Sequence, residues 1–290
     1  IRDRFRDVVA GFNELQGYRI KWNLVYAKDY GVPQNRPRVL MVGIRQDIFE
    51  SAGFDEHLGN DTSHDGTAVE DGFLPMPTGE DPPTIVELLS DLDDPKVLNS
   101  PRWVQETTTY PKPARTEIQK FLRTPKGLAS PLGRGEPLTQ HEYSRHRPSI
   151  LEKFRHMIEN DGEIPSEFKT KKFAQRVFPK KWPDGGPNIT ATSLPDDYVH
   201  YSQPRAPTVR EWARIQTFPD WYEFCGPRTT GGRRRAGDPD AAIWDRDVPR
   251  FTQIGNAVPV LLARAIGQHF KERMLSGQIK SVQPKSAYVK

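Results

Sequence analysis

Three patterns of apolar positions divide the first 45 residues. From Arg4 to Gln16 apolar residues recur at helical spacing, and Gly17 then predicts the end of a helix. From Tyr18 to Tyr26 apolar and polar residues alternate, which is typical of a half-covered strand, whereas Val39 to Ile44 form an unbroken apolar run that predicts a strand buried on both faces. The order helix, strand, turn, strand favours an α/β fold with helices packed on a mixed sheet.

The segment from residue 46 to 200 lacks a sustained period and contains many of the 27 prolines. Short helices are predicted only at Thr84 to Leu92 and near Ser149 to Asn160. This texture predicts a loop-rich, mixed α+β module.

Regular structure is predicted again after Pro207. Thr208 and Glu211 have the spacing of a capping box, so a helix should begin there and run to about Gln216. A second helix should follow Gly255-Asn256, because one helical face carries the apolar residues Val258, Leu261, Leu262, Ala265, Ile266 and Phe270. The polar tail from Gly277 is predicted to fray.

Composition excludes several protein classes. The single cysteine excludes an intrachain disulfide and leaves too little sulfur for a structural zinc site, and no apolar run approaches the length of a membrane helix. These features predict a soluble protein of the cytoplasm, without a membrane partner.

Charge is distributed unevenly along the chain. Residues 46–110 contain 2 Lys or Arg and 15 Asp or Glu, whereas residues 111–182 contain 16 and 8. The basic block is either a DNA-binding surface or an ordinary solvated surface, and charge alone favours the second interpretation.

Two familiar types of active site are excluded by spacing or context. His141 and His146 are five residues apart, which places them about 140° apart on a helix, so they cannot share a metal and are predicted to be surface residues. Cys225 has no nearby histidine in the sequence and is predicted to be a small apolar filler.

A glycine-flanked triple arginine, Arg233, Arg234 and Arg235, has two interpretations. Its guanidinium groups and neighbouring amides could bind DNA phosphates, or the segment could be a surface loop. Both interpretations remain open at this level.

The stretch "YGVPQNRPRVLMVGI" places three polar side chains beside the apolar strand. Two prolines stiffen this turn, so Gln34, Arg36 and Arg38 should form a fixed array, and arginine forks suit planar, bidentate partners. The alternative is that both arginines pair with carboxylates of the same chain.

This stretch resembles the eighth motif of the DNA cytosine-5 methyltransferases. Residues 202–226, "SQPRAPTVREWARIQTFPDWYEFCG", resemble the ninth motif of that family, and residues 251–267, "FTQIGNAVPVLLARAIG", resemble the tenth. The three motifs occur in the family's order, with a long insert in the place of its target-recognition domain.

The resemblance implies a reaction and roles for individual residues. A cysteine attacks carbon 6 of a flipped cytosine, and S-adenosylmethionine then methylates carbon 5. Arg38 would donate to the cytosine carbonyl oxygen, Arg36 would hold the loop and the catalytic carboxylate, and Gln34 would support both. Gly255, Asn256 and Ala257 would form part of the S-adenosylmethionine pocket. Arg233, Arg234, Arg235 and Thr190 would contact double-stranded DNA, whereas Glu211 and Arg214 are expected to make internal contacts.

The resemblance also implies an arrangement of domains. Residues 1–50 would supply the last strands of a Rossmann-like catalytic sheet, 51–250 the target-recognition domain, 251–276 a helix returning to the catalytic domain, and 277–290 a flexible tail. The fold expected is thus the C-terminal part of an α/β methyltransferase.

Three motifs that precede the eighth in this family are absent from these 290 residues: the Phe-x-Gly-x-Gly loop, the Pro-Cys-Gln nucleophile and the Glu-Asn-Val acid. The chain is therefore expected to need an N-terminal catalytic half, and to be inactive alone, either as a natural subunit or as a fragment. A bacterial, DNA-associated enzyme is the expected setting. The alternatives are a non-catalytic, sequence-specific DNA-binding module and a degenerate remnant with a structural role.

Overall fold

The computed structural model describes residues 2–100, 102–169, 175–179, 187–190, 195–229 and 248–276. The chain divides into two compact units. The first comprises Ile1–Gly31, Arg36–Pro82 and Val260–Lys290, and the second comprises Val32–Asn35 and Pro83–Pro259. This division differs from the predicted boundaries near residues 50 and 250.

The first unit is built on a pair of antiparallel strands. Its elements are α1 (Arg2–Asn13), β1 (Tyr18–Tyr26), a 3-10 turn (Ala27–Tyr30), β2 (Pro37–Arg45), α2 (Gln46–Ser51) and a C-terminal helix (Val260–Ser276), numbered α9 below. Tyr18 pairs with Arg45 at one end and Tyr26 with Pro37 at the other. The predicted order helix, strand, turn, strand is confirmed.

Aromatic packing extends the first unit beyond residue 50. The ring centroids of Phe49 and Phe54 lie 5.1 Å apart, and Phe73 packs 5.0 Å from Phe54. Phe49 and Phe73 are fully buried. Because burial of these rings stabilises the unit, residues up to Pro82 belong with the strands rather than with the insert.

The two edges of the strand pair differ. Along β1, the amides of Asp61 and Ala68 donate to the carbonyls of Ile20 and Trp22. Gly66 adopts a positive φ of 76° there, and an added Cβ would collide with the Trp22 carbonyl. Among the described residues, no further strand pairs with the opposite edge of β2.

The prediction that the apolar strand is buried on both faces is wrong. Val39 is 46% exposed, and so is Leu24, the residue opposite it on β1. Phe5 of α1 packs against Trp22 with ring centroids 4.9 Å apart, whereas Leu24 and Val39 at the other end of this face stay exposed. Apolar side chains are also 45–49% exposed at Val8 and Phe12 of α1 and at Leu15 just after it.

The second unit consists of short helices joined by irregular chain. Its elements are α3 (Ile85–Leu89), α4 (Pro95–Asn99), α5 (Glu117–Arg123), α6 (Pro148–Glu159), β3 (Arg176–Val177), β4 (Tyr198–Val199), α7 (Val209–Ile215) and α8 (Arg250–Asn256). The predicted helices near residues 84 and 149 are confirmed. The loop-rich character of the insert is confirmed as well.

Helix α7 lies at the centre of the second unit. All seven of its residues are buried, and the predicted capping box is present, with the Thr208 side chain accepting from the Glu211 amide. Trp212 packs against the rings of Phe178, Tyr198 and Phe251 at centroid distances of 5.8–6.4 Å. A helix buried on every side requires internal partners for its charged residues.

The segment after residue 250 forms two helices instead of one. Helix α8 ends at Asn256, Ala257 is extended, and α9 begins at Val260. Pro259 explains the break, because proline lacks an amide donor and disfavours a helical conformation at the preceding residue. Leu261 and Leu262 of α9 are buried as predicted, but Val258 is 53% exposed.

Candidate functional site

Two arginines lie at the start of β2 in the first unit. The side chain of Arg36 is buried, and its carbonyl accepts from the Ala27 amide at 3.0 Å. Burial lowers the pKa of Arg36 to about 10, and the positive charge of Arg38 contributes to the same shift. Arg36 still carries its proton at neutral pH, so two cations are held close together at this strand end.

Arg38 is half-buried, and its Nη1 donates to the Pro37 carbonyl at 2.7 Å. Burial lowers its pKa. Among the described residues, no carboxylate forms an ion pair with Arg38. The alternative that both arginines pair with carboxylates of the chain therefore has no support at Arg38, and its guanidinium keeps donors for another acceptor.

Gln34 lies in the second unit and is completely buried. Its Nε2 donates to Gln216 Oε1 at 2.8 Å and to the Ile215 carbonyl at 3.2 Å, while its Oε1 accepts from the Ile189 amide at 3.3 Å. Gln216 Nε2 in turn donates to the Ile254 carbonyl at 2.9 Å. One amide chain thus joins the turn at Gln34, the end of α7 and helix α8.

The residues predicted to bind the cofactor come directly after Ile254 in the chain. Gly255 is buried, Asn256 is exposed at the end of α8, and Ala257 is half-buried. An exposed amide stands beside the exposed apolar side chain of Val258. This mixture of polar and apolar groups fits one edge of a ligand such as S-adenosylmethionine.

The predicted DNA contacts are only partly within the described residues. Thr190 is half-buried, one residue after the amide that donates to Gln34. Arg233, Arg234 and Arg235 lie outside the described residues. The chain on either side of them is held together, because the Arg250 amide donates to the Pro227 carbonyl at 3.0 Å.

Arg214 on α7 occupies the centre of a buried ionic cluster. It pairs with Asp91 and Asp220 at 2.6 Å each, and Arg123 pairs with Asp91 at 3.2 Å. Burial alone would raise the pKa of Asp220, but Arg214 holds it below its ordinary value. Tyr110 donates to Asp220 at 2.8 Å. The cluster balances two cations against two anions, so it requires no external partner.

A second buried cluster surrounds Glu211. Arg205 donates to its two carboxylate oxygens at 2.8 and 2.5 Å. Burial opposes ionisation of Glu211, but the charge of Arg205 holds its pKa far below the ordinary value. His200 Nε2 lies 3.4 Å from Asp93 Oδ1 and 3.5 Å from Glu211 Oε1. The expectation that Glu211 and Arg214 make internal contacts is confirmed.

Comparison with known proteins identifies the family. The sequence profile of the C-5 cytosine-specific DNA methylases matches residues 2–272. The chain belongs to this family. The family methylates DNA with S-adenosylmethionine as the methyl donor, which agrees with the resemblance of the three motifs.

The methyltransferase relatives are similar over nearly the whole chain. Type II methyltransferase M.BspRI of Lysinibacillus sphaericus is 30% identical over 268 residues, which cover 91% of this chain and 46% of that protein. M.DdeI of Desulfomicrobium norvegicum is 26% identical over 280 residues, covering 92% and 58%. The chain thus spans about half the length of these curated relatives.

For one relative, the match covers less of this chain but most of the relative's own length. Type II methyltransferase M.AquIB of Picosynechococcus is 33% identical over 140 residues, which are 48% of this chain but 91% of that protein. A crystal structure described as a DNA modification methyltransferase encoded within an E. coli prophage matches 94% of this chain with a TM-score of 0.56 at 20% identity. That likeness supports the α/β methyltransferase fold.

Two residues of this methyltransferase chain do not lie where the sequence predicted. His141 is buried, not at the surface, with Nδ1 2.9 Å from Thr208 Oγ1 and Nε2 3.3 Å from the Leu92 carbonyl. It sits on irregular chain, so helical spacing could not reveal its burial. Cys225 is exposed, not an apolar filler, and its carbonyl accepts from the Gln253 side chain at 2.7 Å.

Among the described helices, none is long and apolar enough to span a membrane.

Proposed function

We propose that this chain forms part of a DNA cytosine-5 methyltransferase that acts on a flipped cytosine within a specific duplex sequence. The paired guanidinium groups of Arg36 and Arg38 at the start of β2 carry the proposal. Ligands of α/β enzymes bind at strand ends, and a flipped base must be held along its edge by fixed donors.

Arg38 acts on the reacting base. Attack of a thiolate on carbon 6 pushes electron density into the pyrimidine ring, so the carbonyl oxygen at carbon 2 gains negative charge. The half-buried guanidinium of Arg38 has donors available for this oxygen, and a fixed donor stabilises developing charge most in the transition state. Bound S-adenosylmethionine would supply the methyl group to carbon 5 as its bond to the sulfonium sulfur breaks and S-adenosylhomocysteine is left, and carbon 5 would then lose its proton to a base as the thiolate leaves carbon 6.

Arg36 and Gln34 are positioning residues. Arg36 is buried beside Arg38 and adds positive potential that favours the catalytic carboxylate and the electron-rich ring. Gln34 touches no reacting atom in this proposal. Its three hydrogen bonds fix the conformation of the chain two residues before Arg36.

S-adenosylmethionine supplies an electrophilic methyl group when bound. Gly255, Asn256 and Ala257 would hold one edge of it, with the exposed amide of Asn256 available to a polar group of the ligand. The rest of the pocket belongs to a complementary part of the enzyme.

That complementary part is an N-terminal catalytic half with a Pro-Cys-Gln loop. Two observations support it: within the described part of the chain one edge of β2 pairs with no further strand, and the apolar residues Leu24 and Val39 are exposed on one face of the strand pair. A sheet edge pairs readily with another strand, and an apolar face is stabilised when covered. A natural subunit and a longer chain both remain compatible with this proposal.

The second unit supplies target recognition. Thr190 and the triple arginine at Arg233, Arg234 and Arg235 are proposed to contact double-stranded DNA, and a DNA-associated location in a bacterial cytoplasm follows from that proposal. The basic block at residues 111–182 provides electrostatic attraction for the duplex.

A complementation assay tests the function. The chain is mixed with the N-terminal half of a similar methyltransferase, and methyl transfer from labelled S-adenosylmethionine to cytosine in duplex DNA is measured. We expect transfer from the mixture and none from either component. In the mixture, Arg38→Ala should lower kcat by about 100-fold or more, with nearly unchanged DNA affinity.

The matched control is Arg45→Ala at the far end of β2, which should leave the rate within about two-fold because Arg45 forms only an exposed pair with Asp47. A parallel loss of rate and DNA binding in Arg38→Ala would refute the assigned role. Unchanged DNA binding with no transfer in any mixture would favour the alternative, a non-catalytic DNA-binding module.

A further inference from the structure

An irregular antiparallel ribbon in the second unit ends in exposed cations. Residues 103–110 and 135–145 are joined by hydrogen bonds from Thr107 N to His141 O at 3.3 Å and from Tyr143 N to Gln105 O at 2.8 Å. Continuing this register by two residues places Trp103 opposite Arg145. The Arg145 guanidinium indeed lies 5.6 Å from the centroid of the Trp103 ring.

The inner end of the ribbon is fixed to the core. Thr107 Oγ1 lies 2.7 Å from Asp94 Oδ2 and 2.8 Å from the Tyr143 hydroxyl, and all three residues are buried. Buried His141 adds contacts to Thr208 and to the Leu92 carbonyl. The outer end therefore projects from a rigid base.

The outer end presents a patch of exposed residues: Arg102, Trp103, Arg145 and Arg147. Trp103 is 50% exposed. Among the described residues, none of the three arginines forms an ion pair with a carboxylate. The carboxylate of nearby Glu142 is already engaged by Arg250 at 3.3 Å, so it does not neutralise the patch.

Further positive charge lies beside the patch. Arg228 donates to Ser144 Oγ at 2.6 Å and to the Glu142 carbonyl at 3.0 Å. A flat aromatic ring under a guanidinium, flanked by unpaired arginines, is complementary to a sugar-phosphate backbone in both charge and shape.

Helix α8 contacts the ribbon at one end and, at the other, the glutamine that bonds to Gln34. Arg250 at its first residue pairs with Glu142 of the ribbon, and the Ile254 carbonyl near its end accepts from Gln216, which bonds to Gln34.

We propose that the patch formed by Arg102, Trp103, Arg145 and Arg147 binds the phosphate backbone of duplex DNA. The proposal rests on the proposed function for duplex DNA as the ligand. Arg145, held by the Trp103 ring, makes the central phosphate contact, and Arg102 and Arg147 contact neighbouring phosphates. These contacts position the duplex and carry no sequence information.

Fluorescence anisotropy with a labelled mixed-sequence duplex, titrated with the full chain over a series of salt concentrations, tests this surface. Arg145→Ala should weaken binding about 3- to 10-fold and reduce the slope of log affinity against log salt by about 0.9, the value for one lost phosphate contact. Trp103→Ala should weaken binding about 2- to 5-fold, and Trp103→Phe should restore most of that loss because a ring remains under the guanidinium.

The matched control is Arg134→Ala, which removes an exposed arginine beyond the opposite end of the ribbon. It should change the slope by less than about a third of the Arg145 effect. Thermal unfolding of each variant shows that the exposed substitutions leave the fold intact.

Failure of the patch and failure of DNA binding by the second unit give different results. If the wild-type chain binds DNA but Arg145→Ala behaves like wild type or like Arg134→Ala, the patch is refuted and target recognition by the second unit stands. If the wild-type chain binds no duplex, both fail. If Arg145→Ala weakened binding to poly-glutamate as much as it weakens binding to duplex DNA, the assignment would also be overturned. The patch would then be a general anion surface.

Discussion

The surroundings of α7 and the β1–β2 pair differ in whether their side chains have partners within their own unit. Around α7 the buried ionic groups find partners within the second unit: Arg214 pairs with Asp91 and Asp220, and Arg205 pairs with Glu211. The strand pair leaves Leu24 and Val39 exposed and Arg38 without an ion pair among the described residues. The ionic groups of the first region thus have partners within their own unit, whereas the second region exposes apolar side chains and a guanidinium with donors available.

This difference distinguishes charged residues with a structural role from groups that are available to a ligand. Charged residues buried on and beside α7 hold the second unit together, although arginine and glutamate in such a motif are easily taken for catalysts. The group best suited to chemistry is the half-buried guanidinium of Arg38 at the start of β2, which keeps donors available.

Breaking the ionic cluster of α7 should have the largest effect on stability. Arg214→Ala leaves Asp91 and Asp220 buried with only part of their compensating charge, so the free energy of unfolding should fall by about 3–5 kcal/mol in a urea titration. The matched control is Arg45→Ala, which removes a pair whose two side chains are each 61% exposed and should leave the free energy of unfolding nearly unchanged. A loss below about 1 kcal/mol in Arg214→Ala would mean that the cluster is not the core of the unit.

The buried histidine His141 should make the stability of the second unit depend on pH. Burial lowers the pKa of His141 to about 4, against an unfolded value near 6.5, so the unfolded chain takes up this proton first as the pH falls. Stability from this site is complete above about pH 6.5 and declines down to about pH 4, by about 3 kcal/mol in total.

Replacing His141 by asparagine should flatten that part of the stability profile, measured by urea unfolding between about pH 4 and 7. The substitution His57→Gln, at an exposed position, should leave the profile as it is. An unchanged slope in His141→Asn would show that other groups govern acid sensitivity.

Local signals in the sequence predicted the scaffold well. The capping box at Thr208 and Glu211 specifies a helix start through contacts three residues apart, so no tertiary information is needed. The helices near residues 84 and 149 and the order of elements in the first 45 residues follow from periodicity in the same way.

Long-range features could not be obtained from these patterns. Gln34 bonds to residues 181 and 182 positions away, and nothing in its neighbourhood indicates a buried amide chain. The apolar run at Val39 was interpreted as a strand covered on both faces, because a periodicity pattern cannot distinguish burial within one unit from an apolar face that awaits a partner. The ring cluster of Phe49, Phe54 and Phe73, which extends the first unit, is likewise a contact between distant segments.

The candidate catalytic and cofactor residues come from family motifs, and their roles are proposals. Arg36 and Arg38 lie close enough together at one end of β2 for the charge of Arg38 to lower the pKa of Arg36. Asn256 lies at the end of a helix that the sequence did not separate from the next one, because the break depends on Pro259.

Amide hydrogen exchange along β2 tests the central claim most directly, namely that the strand pair is an interface for a catalytic half. Exchange is followed by mass spectrometry in the chain alone and after mixing with the N-terminal half of a similar methyltransferase. We expect peptides covering Pro37–Arg45 and α1 to become protected on mixing, while peptides covering α7 stay equally protected in both samples. Methyl transfer by a mixture in which β2 gains no protection would contradict this account.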